Sequence, residues 1–335
     1  MFRHALLFPL TAVLLIFTAC KQEKKESTST SDSAAKTEIL AVPKFDRDSA
    51  YHYVEQQVSY GPRVTGSAAH KQCKAWLVSK FQEFGADVLQ QDFTAKVYTG
   101  QSLPATNIIA RFNPDSPKRI VLAAHWDSRH LADSPINTIR QNEPVLGADD
   151  GGSGVAVLLE IARQLGQSPV KMGVDLVLFD AEDYGESGGE DINTWALGAQ
   201  YWSRNLPYSG AQKPKYGILL DMVGAKGARF AKEYYSMQYA PELTNKTWKL
   251  AEDLGYSNYF VNESAGGVTD DHYFVNTIAG IPMIDIINRP VDSSTGFGTY
   301  WHTHDDNMDV IDYRTLRAVG QLLLNVVYKE DAGSF

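Results

Sequence analysis

The stretch LVLFDAED, residues 176–183, decides how this chain is read. Its apolar run has the pattern of a central strand buried on both faces, and it ends abruptly in two adjacent carboxylates, Glu182 and Asp183. The carboxyl ends of strands are where open α/β sheets place their ligand sites. Two neighbouring acids there repel each other unless they divide the work. One can move a proton while the other holds a cation, which sets their pKa values apart. A solvated acidic turn is the alternative that this stretch leaves open.

Working outward, the same order of strand, polar loop and helix recurs. Residues 120–124 read as a strand ending at His125, and the glycine-rich run GADDGGSG at 147–154 leads into a helix over 155–165. Residues 216–220 form a strand ending at Asp221, 281–287 another strand, and 312–327 a closing amphipathic helix. Helices are also expected over 196–205 and 244–254. Upstream, helices are expected over 46–59 and 67–84, with Ser67 as a good N-cap. Strands follow at 87–98, 106–112 and 119–124. The turn at 114–117 predicts that the last two of these pair antiparallel at a sheet edge. No internal repeat or second linker appears. The expectation is a single α/β domain over residues 39–335, with a central mixed, mostly parallel twisted sheet flanked by helices.

The formal charge of -9 over 335 residues argues against nucleic acid as a partner, because phosphate binding needs a basic face. Cysteine is limited to Cys20 and Cys73, which provides neither a disulfide framework nor a thiolate metal cluster. Residues 1–19 have a basic start, an apolar stretch and small residues directly before Cys20. This resembles a bacterial lipoprotein signal, with a lipidated Cys20 and export to the envelope; an anchor helix or ordinary signal peptide is the alternative. Cys73 would then be a lone core thiol. Residues 20–38 lack aromatics and apolar periodicity and read as a disordered tether.

Polar residues fall repeatedly just after apolar strands: His125, Asp150, Glu182, Asp183 and Asp221, joined later by His302. Strands sharing a parallel sheet would bring them to one edge. An Asp, Asp, His set without thiolates suits a catalytic zinc with an open position, although Asp149-Asp150 can equally cap the next helix. The segments GPRVTGS, AAHWDS, GADDGGSGVAVLLEIAR, LFDAEDYGE, LLDMVG and WHTHDDN resemble, in this order, the zinc aminopeptidase-like family. Within it they look most like the glutaminyl-peptide cyclotransferases, including those of bacterial lipoprotein type.

The resemblance implies an α/β sandwich and a zinc ion held by Asp150, Asp183 and His302, with Glu182 as catalytic acid/base. It leaves Asp149 without a role. His125 and Asp221 match positions that hold a second metal in two-zinc aminopeptidases, whereas the cyclases normally bind one zinc. Asp270 looks like the carboxylate that shares a hydrogen-bond network with Asp221, and both are carried over as catalytic. Asp183 stands where Glu is frequent, so its arm is one methylene shorter. Trp195, Phe297, Tyr300 and Trp301 are candidate walls of a narrow pocket, with core packing as the alternative.

The same parts serve two reactions. A cyclase would close the N-terminal glutamine of a peptide or protein to pyroglutamate with release of ammonia, an intramolecular step helped by orientation. A dizinc aminopeptidase would use Glu182 to activate water. A lipoprotein that binds peptides without catalysis is the reading from another class. The aromatic run before His302 favours the cyclase with one zinc. Residues 131–144 and 184–193 are expected to shape the mouth of the site.

Overall fold

The computed structural model describes residues 41–335; the leader, Cys20 and the whole of the tether lie outside them. The chain proceeds through α1 (Arg47–Ser59), α2 (Ala68–Glu83), β1 (Asp87–Lys96), β2 (Ser102–Phe112), β3 (Arg119–His125), α3 (Ser153–Gln167), β4 (Gly173–Phe179), α4 (Leu197–Arg204) and β5 (Gly217–Asp221). Then come β6 (Phe230–Lys232), α5 (Tyr234–Tyr239), α6 (Pro241–Asp253), β7 (Phe260–Ser264), α7 (Asp271–Phe274), β8 (Met283–Ile287) and α8 (Tyr313–Asp331).

Six strands form one sheet in the order β1-β2-β4-β3-β5-β8, and β6 and β7 form a small second one. The β1-β2 and β2-β4 pairings are antiparallel, whereas β4-β3, β3-β5 and β5-β8 are parallel. The expected mixed, mostly parallel sheet is present. Every residue of β4 is buried, and its side chains divide by alternation. Leu176 and Leu178 join the core that includes α3 and α8, while Val177 and Phe179 join a second core with Trp202 of α4. Cover on both faces is why this strand carries no polar alternation. Cys73 sits in the larger core, as expected, where burial pushes its thiol up to about 12. Ser67 caps α2 by accepting from the His70 N–H.

One expectation is overturned. β2 and β3 are not neighbours, because β4 lies between them and pairs with both. β3 is buried along its whole length between β4 and β5, and this side of the sheet ends in the longer hairpin of β1 and β2. The connection from β2 passes the amino end of β4. There the Asn113 side chain donates to the carbonyls of Val170 and Met172 at 2.7 and 2.9 Å. Arg119 donates to the carbonyls of Asn113 and Ser116 and grips the buried Asp175 of β4 at 2.6 and 2.8 Å.

The topology places the site. From β3 the chain moves to β4 on one side and later to β5 on the other, so the order reverses at β3 and opens a crevice beyond the carboxyl ends of these strands. His125, Glu182 with Asp183, and Asp221 follow from those three ends. Because Arg119 is, among the described residues, the one cation at ion-pair distance from Asp175, Arg119→Met should strand a buried carboxylate and lower stability by about 3–5 kcal/mol. Chemical denaturation measures the loss, and pairing it with Asp175→Leu should recover most of it.

Candidate metal and catalytic site

Asp150, Glu182, Asp183, Asp221, Asp270, Trp195, Phe297, Trp301 and His302 line one cleft of about 370 Å³, a size suited to a small ligand. Asp133, Pro135, Ser187 and Gly188 stand at the same cleft, so the loops at 131–144 and 184–193 do contribute to it. Two sequence candidates do not line it. His125 is buried behind Asp150 and Asp221, with Nε2 3.0 Å from Asp150 Oδ1 and 3.2 Å from Asp221 Oδ1. Tyr300 is the correction: it is buried, and its hydroxyl donates to Asp149 and accepts from the Asn288 amide. The turn that presents Trp301 and His302 to the cleft directs the ring of Tyr300 inward, against Gly298. Asp149, which has no cleft role, holds this wall by accepting from both Tyr300 and the Gly224 N–H. Neither acid of that pair caps α3, whose N-cap Gly152 has no side-chain cap.

Two buried aspartates that sequence reasoning left without roles aim the site acids. Asp127 accepts the N–H groups of Glu182 and Asp183 at 3.1 and 3.2 Å, and it approaches His125 Nδ1 at 3.5 Å. Asp306 accepts those of Asp149 and Asp150 at 2.8 and 3.2 Å. Both lie inside the quoted motifs AAHWDS and WHTHDDN, but nothing local to those motifs shows what they bind. Gly151, next to Asp150, must lack a side chain: a Cβ there would stand 2.1 Å from the Asp127 carbonyl. Ala181, Met222 and His302 adopt left-handed backbone, with φ of 54°, 48° and 54°. Such strain costs of order 1–3 kcal/mol each and is tolerated where it aims functional groups.

Asp150, Asp183 and His302 bring ligand atoms within 4.8 Å of one another. His302 Nε2 is 3.1 Å from Asp183 Oδ1 and 3.7 Å from Asp150 Oδ2, close to the roughly 3.3 Å edge of a tetrahedron with ~2.0 Å arms. The shorter Asp183 arm therefore reaches. Asp183 Oδ2 is buried without a hydrogen-bond partner among the described residues, and an O, O, N donor set suits zinc. The residues fit the ion. His125, Asp150 and Asp221 make a second set of the same kind, sharing Asp150. Behind the first set, Asp133 stands 3.2 Å from His302 Nδ1, the carboxylate–histidine arrangement that orients a metal ligand. Arg129 holds Asp133 at 2.6 and 3.0 Å, donates to the carbonyls of Asp183 and Gly185 at 2.8 and 2.9 Å, and lies 4.8 Å over Trp195. Gly185 lets Trp195 pack flat, since a Cβ would stand 1.9 Å from its ring.

Burial pushes the Glu182 carboxyl well above its usual range, opposed by the charge of His125 and reinforced by Asp270 and Asp183. Burial raises Asp183 to about 6, helped by Asp150 and resisted by His302. Asp221 rises to about 8, again through burial, despite its bond to His125. For the histidines burial acts the other way, yet the neighbouring carboxylates win. Asp183 and Asp133 hold His302 up to about 9, and Asp127, Asp150 and Asp221 keep His125 well above its usual range. Asp270 lies within electrostatic reach of Asp221, but the carboxyl partner that the structure gives it is Asp285, with His272 completing a buried group beneath the cleft.

The model of peptidase family M28 matches residues 107–327. The chain belongs to peptidase family M28. A Zn-dependent exopeptidase of Parabacteroides distasonis is 49% identical to this M28 chain, covering 86% of it and 99% of its own length with a TM-score of 0.83. A glutaminyl cyclase of Bacteroides thetaiotaomicron is 47% identical, with coverage of 86% and 99% and a TM-score of 0.83. A glutaminyl-peptide cyclotransferase of Drosophila melanogaster is 26% identical over 277 residues, covering 76% of this chain and 73% of its own. The resemblance read from the motifs agrees with these findings, and both the family and the Zn-dependent neighbour point to zinc.

Because Asp183, Asp221 and Glu182 prefer protons in the folded protein, ionising them opposes folding; loss of the His302 proton removes stability in the same direction. Metal-free protein should therefore lose stability as pH rises from about 5 to 9, while zinc replaces the protons. The rise in Tm on adding zinc to chelated protein should grow with pH, and a calorimetric rise that shrinks with pH would reject this account. Asp133→Ala should weaken zinc binding about 10- to 100-fold, read by competition with a chelating dye.

Proposed function

We propose that this chain is a zinc-dependent glutaminyl-peptide cyclotransferase, which closes the N-terminal glutamine of peptides and proteins to pyroglutamate and releases ammonia. One observation carries the reading. Glu182 stands in a cleft with a three-residue metal set on its floor and Trp195, Phe297 and Trp301 in its walls. Asp150, Asp183 and His302 would hold the zinc, which would supply Lewis-acid chemistry for the side-chain amide of the glutamine.

The protein's own groups do the rest. Glu182, kept proton-avid by burial, takes a proton as the α-nitrogen attacks the side-chain amide carbon. It returns that proton to the departing nitrogen, so the new bond forms and ammonia leaves with one group serving both steps. The aromatic walls exclude water and hold the flexible side chain folded back on its own amine. Asp221 and Asp270 offer acceptors for the N–H groups of the substrate.

The number of ions is part of the proposal: one zinc. His125, held charged by Asp127, Asp150 and Asp221, supplies the positive charge that a second ion would bring. The His125, Asp150 and Asp221 set is what favours the second reading, a dizinc aminopeptidase. Export and lipid anchoring at Cys20 also stay within the proposal, on the strength of residues 1–20 alone.

Purified protein incubated with Gln-peptides and with Leu-anilide, with and without chelator, separates the readings. Chelator-sensitive ammonia release from Gln-peptides is expected, with one zinc per chain; anilide cleavage alone would sink the cyclase. Glu182→Gln should lower turnover at least about 100-fold with zinc retained, and His302→Ala should lose the metal. Zinc content measured beside rate checks both.

A further inference from the structure

The cleft is lined by Asp133, Asp150, Glu182, Asp183, Asp221 and Asp270, and Arg289 is the one Lys or Arg among its lining residues. Arg289 follows β8 and is half-buried. Among the described residues its guanidinium makes no hydrogen bond and no ion pair within 4.0 Å. It is nonetheless held in place. It lies 4.5 Å over the Phe297 ring, Phe297 stacks on Trp301 at 4.4 Å, and Trp301 stacks on His302 at 3.8 Å. The following loop passes so close at Gly296, which has φ of +77°, that a Cβ there would stand 3.1 Å from Arg289 Nη1.

A planar cation stacked on a ring keeps its edge N–H groups free for a carboxylate. Arg289 also lines a second, outer groove with Arg229, Val261, Glu263, Val291 and Asp292. It thus stands where the catalytic cleft meets the outside, on the path of a chain whose first residue occupies the cleft. The deep acids repel an acidic peptide, and Arg289 is the group placed to offset that repulsion.

We propose that Arg289 is a specificity residue: it binds a carboxylate close behind the substrate's N-terminal residue, either an acidic side chain at the second or third position or the terminal carboxylate of a dipeptide. The assignment rests on the cyclotransferase reading for the identity of the first residue alone. Buried Asp285 and Glu233 also act on Arg289 through charge, so the competing role is that of a structural counter-ion.

The test compares zinc-loaded wild type with Arg289→Ala, Arg289→Gln and Arg289→Lys. Substrates are Gln-Glu-Ala-amide, Gln-Ala-Glu-amide and Gln-Ala free acid, with Gln-Ala-amide and Gln-Lys-Ala-amide as references, and the same series begun with Leu. Relative to Gln-Ala-amide, the preference for carboxylate-bearing peptides should fall about fivefold in Arg289→Ala and Arg289→Gln. The change should be carried by KM, weaken with salt, and be partly restored in Arg289→Lys. The acidic-side-chain and free-acid arms tell the two carboxylate sources apart. Reaction of the Leu series alone would overturn the cyclotransferase reading while still testing Arg289; if neither series reacts, calorimetric binding of the same peptides reads the preference. An equal loss for all peptides with a lowered Tm, or a preference that survives in Arg289→Ala, would overturn the proposal.

Discussion

Carboxylates that converge in a water-poor cleft must be neutralised, because like charges at low dielectric repel strongly and burial alone penalises each of them. Six acids face the cleft of this protein, and the structure meets that repulsion in layers. Backbone N–H groups are given to outer aspartates that fix the peptide planes, the histidines His125 and His302 sit between the site acids, and the donor set opens toward a metal ion. Each layer depends on the next. Without the Asp127 and Asp306 bonds the pairs Glu182-Asp183 and Asp149-Asp150 would lose the backbone course that keeps their side chains on different tasks.

The same repulsion explains where the chain accepts strain. Ala181 precedes Glu182, Met222 follows Asp221, and His302 is itself left-handed. A strand continued in regular extended geometry would send alternate side chains to opposite faces; a left-handed residue at its end turns the chain so that neighbouring acids meet the cleft. The rigid support is the fully buried trio β3, β4 and β5, whose parallel pairing brings three distant segments to one edge. Above it the stack from His302 through Trp301 and Phe297 to Arg289 links the metal set to the mouth. The wall that shapes substrate access is thereby continuous with the floor that does the chemistry.

Residues 176–183 carried most of what could be read in advance. A short run of apolar residues ending in acids specifies a buried strand and a polar carboxyl end through period and burial alone, and β4, over 173–179, takes in the apolar residues of that run. Ligand types were legible for a related reason: zinc chemistry restricts donors to a few side chains, and those side chains recur after strands. Pairing was less legible. The turn at 114–117 suggests a hairpin, yet insertion of β4 between β2 and β3 depends on residues some sixty positions downstream. Tyr300 stands among aromatics and has the sequence context of a pocket wall, but hydrogen bonding to Asp149 and Asn288 draws it behind the wall.

By itself, then, the sequence determined the α/β class, the buried central strand, the strand-end acids and the donor chemistry, since all of these follow from local periodicity and side-chain type. Only the tertiary structure decided which acids and histidines come together as a donor set, which aspartates aim them, and which aromatic and cationic groups face the cleft. Those are facts about distance between segments far apart in the chain, set by strand order and by the strained turns that end the strands. Glu182 and Asp183 show the division: their position at a strand end is local, but their separate surroundings come from Asp127, His125 and His302, which reach them across the fold.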